Sequence, residues 1–336
     1  MLRKRKRATT ESRKKREKRV NTLPLYIILI MMFVLYLFTQ GTPALSVIFG
    51  IVAFVLIIIL LAAEIFNGIE ESGFMRNVLE IVVAIIIVIG IWFLLRIILN
   101  TAYPLDVVPS CSMLPALHRG DMILVQGVGP SGINAPIVNI TPEEWNASFS
   151  SVGTEALQCV AYEISGNQLY VSQLVKPGYQ VGLIENNGAG TRIVPYSAQT
   201  GAVKYMCGIA NATYQNGTVV QSAYTQSITI DNTTINGDRN NSVVVYQTVP
   251  QDLFYRYGDS YIVHRAYAII NVSGTYHVLT KGDNNPGLDI QYLNLPPNVS
   301  QVSGRVIGSV AYLGYIKLIL SSSFTEPAGC NLTIND

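Results

Sequence analysis

Residues 20–63 carry no charged side chain. One crossing of a ~30 Å hydrocarbon core takes roughly 17–25 helical residues, so this run is too long for a single span. Gln40-Gly41-Thr42-Pro43 interrupts it with turn-forming residues. Two transmembrane helices are therefore expected, at residues 23–39 and 44–63. A third apolar run follows at residues 79–99, where Arg96 can snorkel to an interface along its methylene stem. The run is too long for a removable leader, and no small-residue cleavage pattern follows a short apolar core.

Charge is distributed as if the chain were oriented. Residues 1–20 hold eleven Lys/Arg against Glu11 and Glu17, a net +9. Residues 21–100 sum to −2 and residues 101–336 to −5, so the overall +2 describes no single surface. The basic tail reads as a cytoplasmic anchor under the positive-inside rule. Three crossings then place residues 101–336 outside the cytoplasm, in a multi-pass protein of the cell membrane (or of the endoplasmic reticulum with a lumenal domain). The lipid bilayer is thus an expected partner. Nucleic acid is not, because the basic charge is confined to one short tail.

Asn-X-Ser/Thr acceptors point the same way. None falls in residues 1–100, and nine follow, at Asn139, Asn146, Asn211, Asn216, Asn232, Asn240, Asn271, Asn298 and Asn331. Chance gives about three in a segment of this composition. The excess favours an exported, glycosylated surface.

Beyond residue 100, short Val/Ile/Tyr/Thr runs alternate with Gly, Asn and Pro. They fall at 122–126, 168–173, 218–222, 242–249, 261–271, 275–280 and 304–314. That pattern predicts a mainly β domain with few helices. Residues 128–241 hold six of the nine acceptors and read as an inserted β-rich subdomain. Residues 321–336 read as a C-terminal tail. The four cysteines are Cys111, Cys159, Cys207 and Cys330. Four cysteines allow three disulfide connectivities, and Cys159–Cys207 is the favoured pair because both lie in the insertion. Cys111 reads as a small buried residue. No CxxC spacing suggests structural zinc, and Asp283-Asn284-Asn285-Pro286-Gly287 lacks the full spacing of a calcium loop.

Chemistry-bearing residues cluster in ordered contexts. Pro109-Ser110-Cys111-Ser112-Met113-Leu114-Pro115 precedes His118-Arg119-Gly120-Asp121. Far downstream lie Tyr261-Ile262-Val263-His264-Arg265 and Thr280-Lys281-Gly282-Asp283-Asn284-Asn285, with Asp289 beyond. Serine hydrolysis of a peptide bond needs a base for the hydroxyl proton, an acid to orient that base, and donors for the oxyanion. Ser112, His264 and either Asp283 or Asp289 supply such groups. His118 and His277 read as structural.

These boxes resemble the type I signal peptidase family, in its archaeal and endoplasmic-reticulum branch with a Ser-His-Asp triad. Ser110-Cys111-Ser112-Met113-Leu114-Pro115 matches its S-x-S-M-x-P signature, and Val263-His264-Arg265 matches the histidine box that replaces the bacterial lysine. The resemblance covers roughly residues 101–127 and 242–320, which it makes the catalytic core of a signal-peptidase-like β fold. It implies Ser112 as nucleophile, His264 as general base, Asp289 as the essential acid and Asp283 as a supporting one. It also implies Ser110 with the Ser112 amide as the oxyanion hole, and no cofactor or metal. Implied substrates are signal-peptide-bearing preproteins cleaved after small residues, with the protein-export translocon nearby. The family's insertion between the boxes is usually shorter, and it usually has one membrane anchor. Two other readings remain: a narrow-specificity processing peptidase for surface proteins, and a catalytically inactive, glycosylated surface-binding protein on a peptidase core.

Overall fold

The computed structural model describes residues 21–39, 43–72, 74–149, 162–165, 168–171, 184–186, 191–193, 196–321, 327 and 329–335. The chain divides into two compact units, residues 1–95 and 96–336.

The first unit is helical. Its described elements are α1 (Leu23–Phe38), α2 (Pro43–Ser72) and most of α3 (Phe74–Ile98). Pro24 sits in the first turn of α1, where its missing N–H costs nothing. The expected three membrane spans are corrected here: among the described residues, no helix is long and apolar enough to cross a membrane. The first helix stops after 16 residues, which at 1.5 Å per residue is about 24 Å. The other two run past their apolar stretches. The second takes in Glu64, Glu70 and Glu71, and the third takes in Arg76, Glu80 and Arg96. The transmembrane part of the expected fold, and the multi-pass membrane localisation built on it, fall with the spans. Residues 1–20, the expected basic anchor, lie outside the described residues.

The second unit is mainly β. One seven-stranded sheet has the order β1 (Leu105–Val107), β2 (Met122–Gln126), β15 (Val302–Val310), β12 (Val243–Gln247), β13 (Tyr261–Val272), β14 (Thr275–Lys281). Its seventh strand, β3 (Ile137–Ile140), pairs parallel to the far half of β13; every other pairing in the sheet is antiparallel. A short helix α4 (Pro142–Ser148) follows β3, and Thr141 and Glu144 close a reciprocal capping box at its start. Two isolated hairpins come next, β4 (Tyr162–Ser165) with β5 (Gln168–Val171) and β6 (Ile184–Asn186) with β7 (Thr191–Ile193).

A second, five-stranded sheet is built on β9 (Val203–Tyr214) and β10 (Val219–Ile230). β10 pairs with β11 (Thr233–Asn236), and β9 pairs along its length with β8 (Tyr196–Thr200) and β16 (Leu332–Asn335). Short helices α5 (Leu253–Arg256) and α6 (Tyr315–Leu320) complete the elements. The β13–β14 turn places Ser273 and Gly274 both at positive φ, the turn geometry whose twist matches antiparallel strands.

The two sheets share one core. Tyr205, Ile228 and Ile230 of the second pack with Tyr267, Ile270 and Leu279 of the first and with Leu288 and Ile290 beyond it. Burial of several such side chains, at about 1.5–3 kcal/mol each, binds the 128–241 stretch to the core sheet. A bulge between Ala266 and Ala268 in β13 accompanies this packing, and Tyr267 donates its hydroxyl to Ile235 O.

Candidate active site

Ser112 sits in the turn between β1 and β2. The neighbouring Met113 is fully buried among Val108, Leu117, Ile123, Val125, Val245 and Val263, and so pins the turn to the sheet. Asp121 holds its far end, accepting from the His118 amide at 2.8 Å and from the Tyr312 amide at 3.0 Å. Gly120 is at φ +87°, and a β-carbon there would overlap the Tyr315 ring. The H-R-G-D box therefore shapes the turn, and His118 has no part in the relay below.

The structure brings the widely separated boxes together. His264 lies on β13 opposite Val244, and its Nε2 is 2.9 Å from Ser112 Oγ. Its Nδ1 is 2.8 and 2.7 Å from the two carboxylate oxygens of Asp289. Asp289 opens a 3-10 turn, Asp289–Tyr292, and is 2 % exposed; His264 is 3 % exposed. A buried carboxylate needs partners, and here Tyr246 and Thr280 both donate their hydroxyls to Oδ2, at 2.9 and 2.6 Å.

These contacts set protonation. Burial alone would push the Asp289 carboxyl up. The His264 charge and the hydrogen bonds from His264, Thr280 and Tyr246 outweigh it and hold the group below the usual carboxylate range. The Tyr246 hydroxyl moves well above its ordinary value, through burial first and the Asp289 charge second. Tyr246 therefore stays a donor and Asp289 stays an acceptor. An ionised Asp289 requires the proton on His264 Nδ1 and leaves the Nε2 lone pair for the Ser112 hydroxyl. Ser110 Oγ is 3.1 Å from Ser112 Oγ, within reach of an oxygen on the same acyl carbon.

Which aspartate orients the histidine was open from spacing. Asp283 instead forms a two-pronged pair with Arg265, Nε–Oδ1 2.7 Å and Nη2–Oδ2 2.6 Å. Arg265 also donates to the carbonyls of Arg239 and Asn241. This clamp fixes the loop that carries Asn284, whose amide donates to Ser112 O at 2.7 Å. Close approach is possible because residue 282 is glycine: a β-carbon there would lie 2.8 Å from Ser112 O. Asp283 acts on the nucleophile's backbone, one step removed from the relay.

Ser112 and His264 open onto a cleft of about 190 Å³. Phe254, Ile262, Pro327 and Leu332 form its apolar lining, with Asp259 and Asn285 among its polar groups. Burial raises the Asp259 carboxyl above its ordinary range, opposed by the His264 charge. The Trp145 and His277 rings pack tilted with centres 4.0 Å apart, and His277 joins no relay.

One cysteine departs from expectation. Cys111, read as a small buried residue, is buried but is disulfide-bonded to Cys330. Cys207 is also disulfide-bonded, while Cys159, its expected partner, lies outside the described residues. Of the nine glycan acceptors, Asn139, Asn146, Asn211, Asn216, Asn232, Asn240 and Asn331 are exposed, and Asn271 and Asn298 are half-buried. Asn271 donates to Asn139 at 2.7 Å, so two acceptors share one contact.

Sequence reasoning assigned no role to Tyr246, Thr280, Arg265 or Asn284, though all four lie within the stretches it singled out. It counted Cys330 among the disulfide candidates without bringing it to the site, and it passed over Leu332, which carries no local signal. Among the described residues, no group of three or more His, Cys, Asp or Glu side chains is placed to hold a metal ion. Comparison with protein-family models, with curated proteins and with solved structures finds no match to this chain.

Proposed function

We propose that this protein is a serine endopeptidase of the signal-peptidase kind, cleaving N-terminal signal peptides from exported preproteins. The observation that carries the reading is the continuous Ser112–His264–Asp289 relay, with links of 2.9 Å and 2.7–2.8 Å, opening onto a cleft. The motif resemblance around Ser112 and His264 supplies the substrate class.

Ser112 Oγ attacks the scissile carbonyl as His264 Nε2 takes its proton. Asp289 stabilises the resulting imidazolium without itself being protonated. The proton then passes to the leaving amine, which departs and leaves an acyl ester on Ser112. A water deprotonated by His264 hydrolyses that ester and restores the hydroxyl. A base placed in this way contributes typically 10²–10⁴-fold. Ser110 Oγ stabilises the tetrahedral oxyanion from its position beside the nucleophile. The apolar lining by Phe254 and Ile262 offers a surface for the side chain of the residue that donates the acyl group.

The test is cleavage of a purified preprotein, with the new N-terminus read by sequencing. Ser112→Ala and His264→Ala are expected to abolish the cut while keeping the wild-type far-UV circular dichroism. Cleavage retained by either folded variant rejects the mechanism. Cleavage of one surface protein alone would favour the narrow-specificity version.

A further inference from the structure

A second cavity, of about 420 Å³, lies between the two sheets and is more than twice the size of the Ser112 cleft. Its volume is ordinary for a small-molecule site. Successive side chains of a strand point to opposite faces. His264 turns to Ser112, so Arg265 turns to the other face of β13, where it lines this cavity. The turn after β14 divides the two spaces. Asp283 lines the second cavity, whereas Asn284 and Asn285 line the cleft.

Both sheets are irregular at this place. β13 carries Tyr267 as an extra residue between Ala266 and Ala268, and β10 carries Gln226 between Thr225 and Ser227. Both extra residues line the cavity. A bulge re-aims a side chain and is over-represented beside functional sites. The β10 bulge is braced: the Thr225 amide donates to Pro286 O and its hydroxyl to Gln291 Oε1, each at 2.7 Å. Tyr224 beside it lies against Gly208, where a β-carbon would come 2.9 Å from the ring.

Charge on the walls selects the ligand. Arg265 and Lys281 stand directly opposite each other across β13 and β14, and like charges so placed repel. Both oxygens of Asp283 are engaged by Arg265. Asp238 accepts from the Asn240 amide and side chain, and the exposed Arg239 adds a third cation. Among the described residues, the lining thus sets three cations against two carboxylates. Lys281 is 8 % exposed, so its ammonium acts where water screens little. A guanidinium fork matches a carboxylate, and the Tyr224 and Tyr267 rings offer surface to an aromatic body.

We propose that this cavity is a second binding site, for a small aromatic carboxylate whose anionic head meets Lys281 and Arg239. The site stands apart from acyl transfer, so neither reading depends on the other.

The probe is benzoate, titrated into the full chain by calorimetry at neutral pH, beside benzamide as a neutral mimic of the same shape. Benzoate should bind at one site, and benzamide at least about 10-fold more weakly, the worth of one hydrogen bond to a charged group. Acetate, which lacks the ring, should also bind more weakly than benzoate. Arg239→Gln and Lys281→Gln should each weaken benzoate by about 10-fold with unchanged far-UV circular dichroism. Arg239 is exposed, so its variant tests the site even if the Lys281 variant does not fold. No benzoate binding by the native chain, or unchanged binding by folded Arg239→Gln, overturns the assignment. Benzamide or acetate binding as tightly as benzoate overturns the ligand class.

Discussion

Replacing Asp289 by asparagine changes almost no volume but reverses the logic of the relay. Tyr246 and Thr280 both present hydroxyl donors to Oδ2, so the amide oxygen of the substituted side chain is held at that position. The amide NH₂ then falls at the Oδ1 position, 2.8 Å from His264 Nδ1 in the native structure. Nδ1 is also 2.7 Å from the Oδ2 position, but the two lone pairs of an amide oxygen there are taken by Tyr246 and Thr280. The ring nitrogen therefore meets the NH₂ donor, and the imidazole moves its proton to Nε2. That nitrogen then donates to Ser112 Oγ and can no longer accept its proton. In Ser-His-Asp enzymes this tautomer error costs about 10⁴-fold in kcat, or roughly 5 kcal/mol of barrier. The assay is the pre-steady-state acylation rate of Asp289→Asn at one neutral pH, beside Asp283→Asn as control. Asp283 braces Arg265 and does not touch the ring, so its variant should lose stability yet acylate within about 10-fold of wild type once folded. An Asp289→Asn enzyme within about 10-fold of wild type would refute the orienting role.

Three further outcomes follow from the same contacts. Thr280→Val removes one hydroxyl donor from the buried carboxylate, and a hydrogen bond to a charged group contributes about 1.5–3 kcal/mol, so urea unfolding should record a loss in that range. The folded Asp289 carboxyl is held below the ordinary value of about 4. Its stabilisation is therefore complete above pH ~4 and is lost as pH falls through the lower folded value. Denaturant unfolding at pH ~5 and pH ~3 should show a smaller acid loss in Asp289→Asn than in wild type. Cys330→Ser opens a link spanning 219 residues and should cost about 2–5 kcal/mol in the same urea assay, with the unbonded Cys111 becoming titratable by a thiol reagent after unfolding.

Much of the β architecture was legible because strand residues alternate with turn formers. The runs at 122–126, 242–249, 261–271 and 275–280 all fall on strands of the first sheet. Ser112 and His264 were legible because each sits in an ordered local context. The family resemblance pointed to Asp289, but spacing left Asp283 and Asp289 open, because the choice depends on which carboxylate Arg265 captures, a contact across 18 residues. The placing of residues 329–335 beside the Ser112 turn was hidden for a similar reason: it is made by a disulfide and by Asn284, which join segments that share no local pattern. The apolar N-terminal runs misled in a different way. Hydropathy reports how apolar a stretch is, not where its helix ends, and the first helix ends after 16 residues.

The central claim is that Ser112 is a nucleophile activated by His264. Its most direct measurement is the acid-quenched mass of the protein after brief exposure to N-acetyl-alanine p-nitrophenyl ester, with the adduct mapped by peptide fragmentation. The native chain should gain one N-acetyl-alanyl group, on Ser112, and folded His264→Ala should gain none in the same interval. A native chain without an adduct, or with its adduct on another residue, would contradict the account.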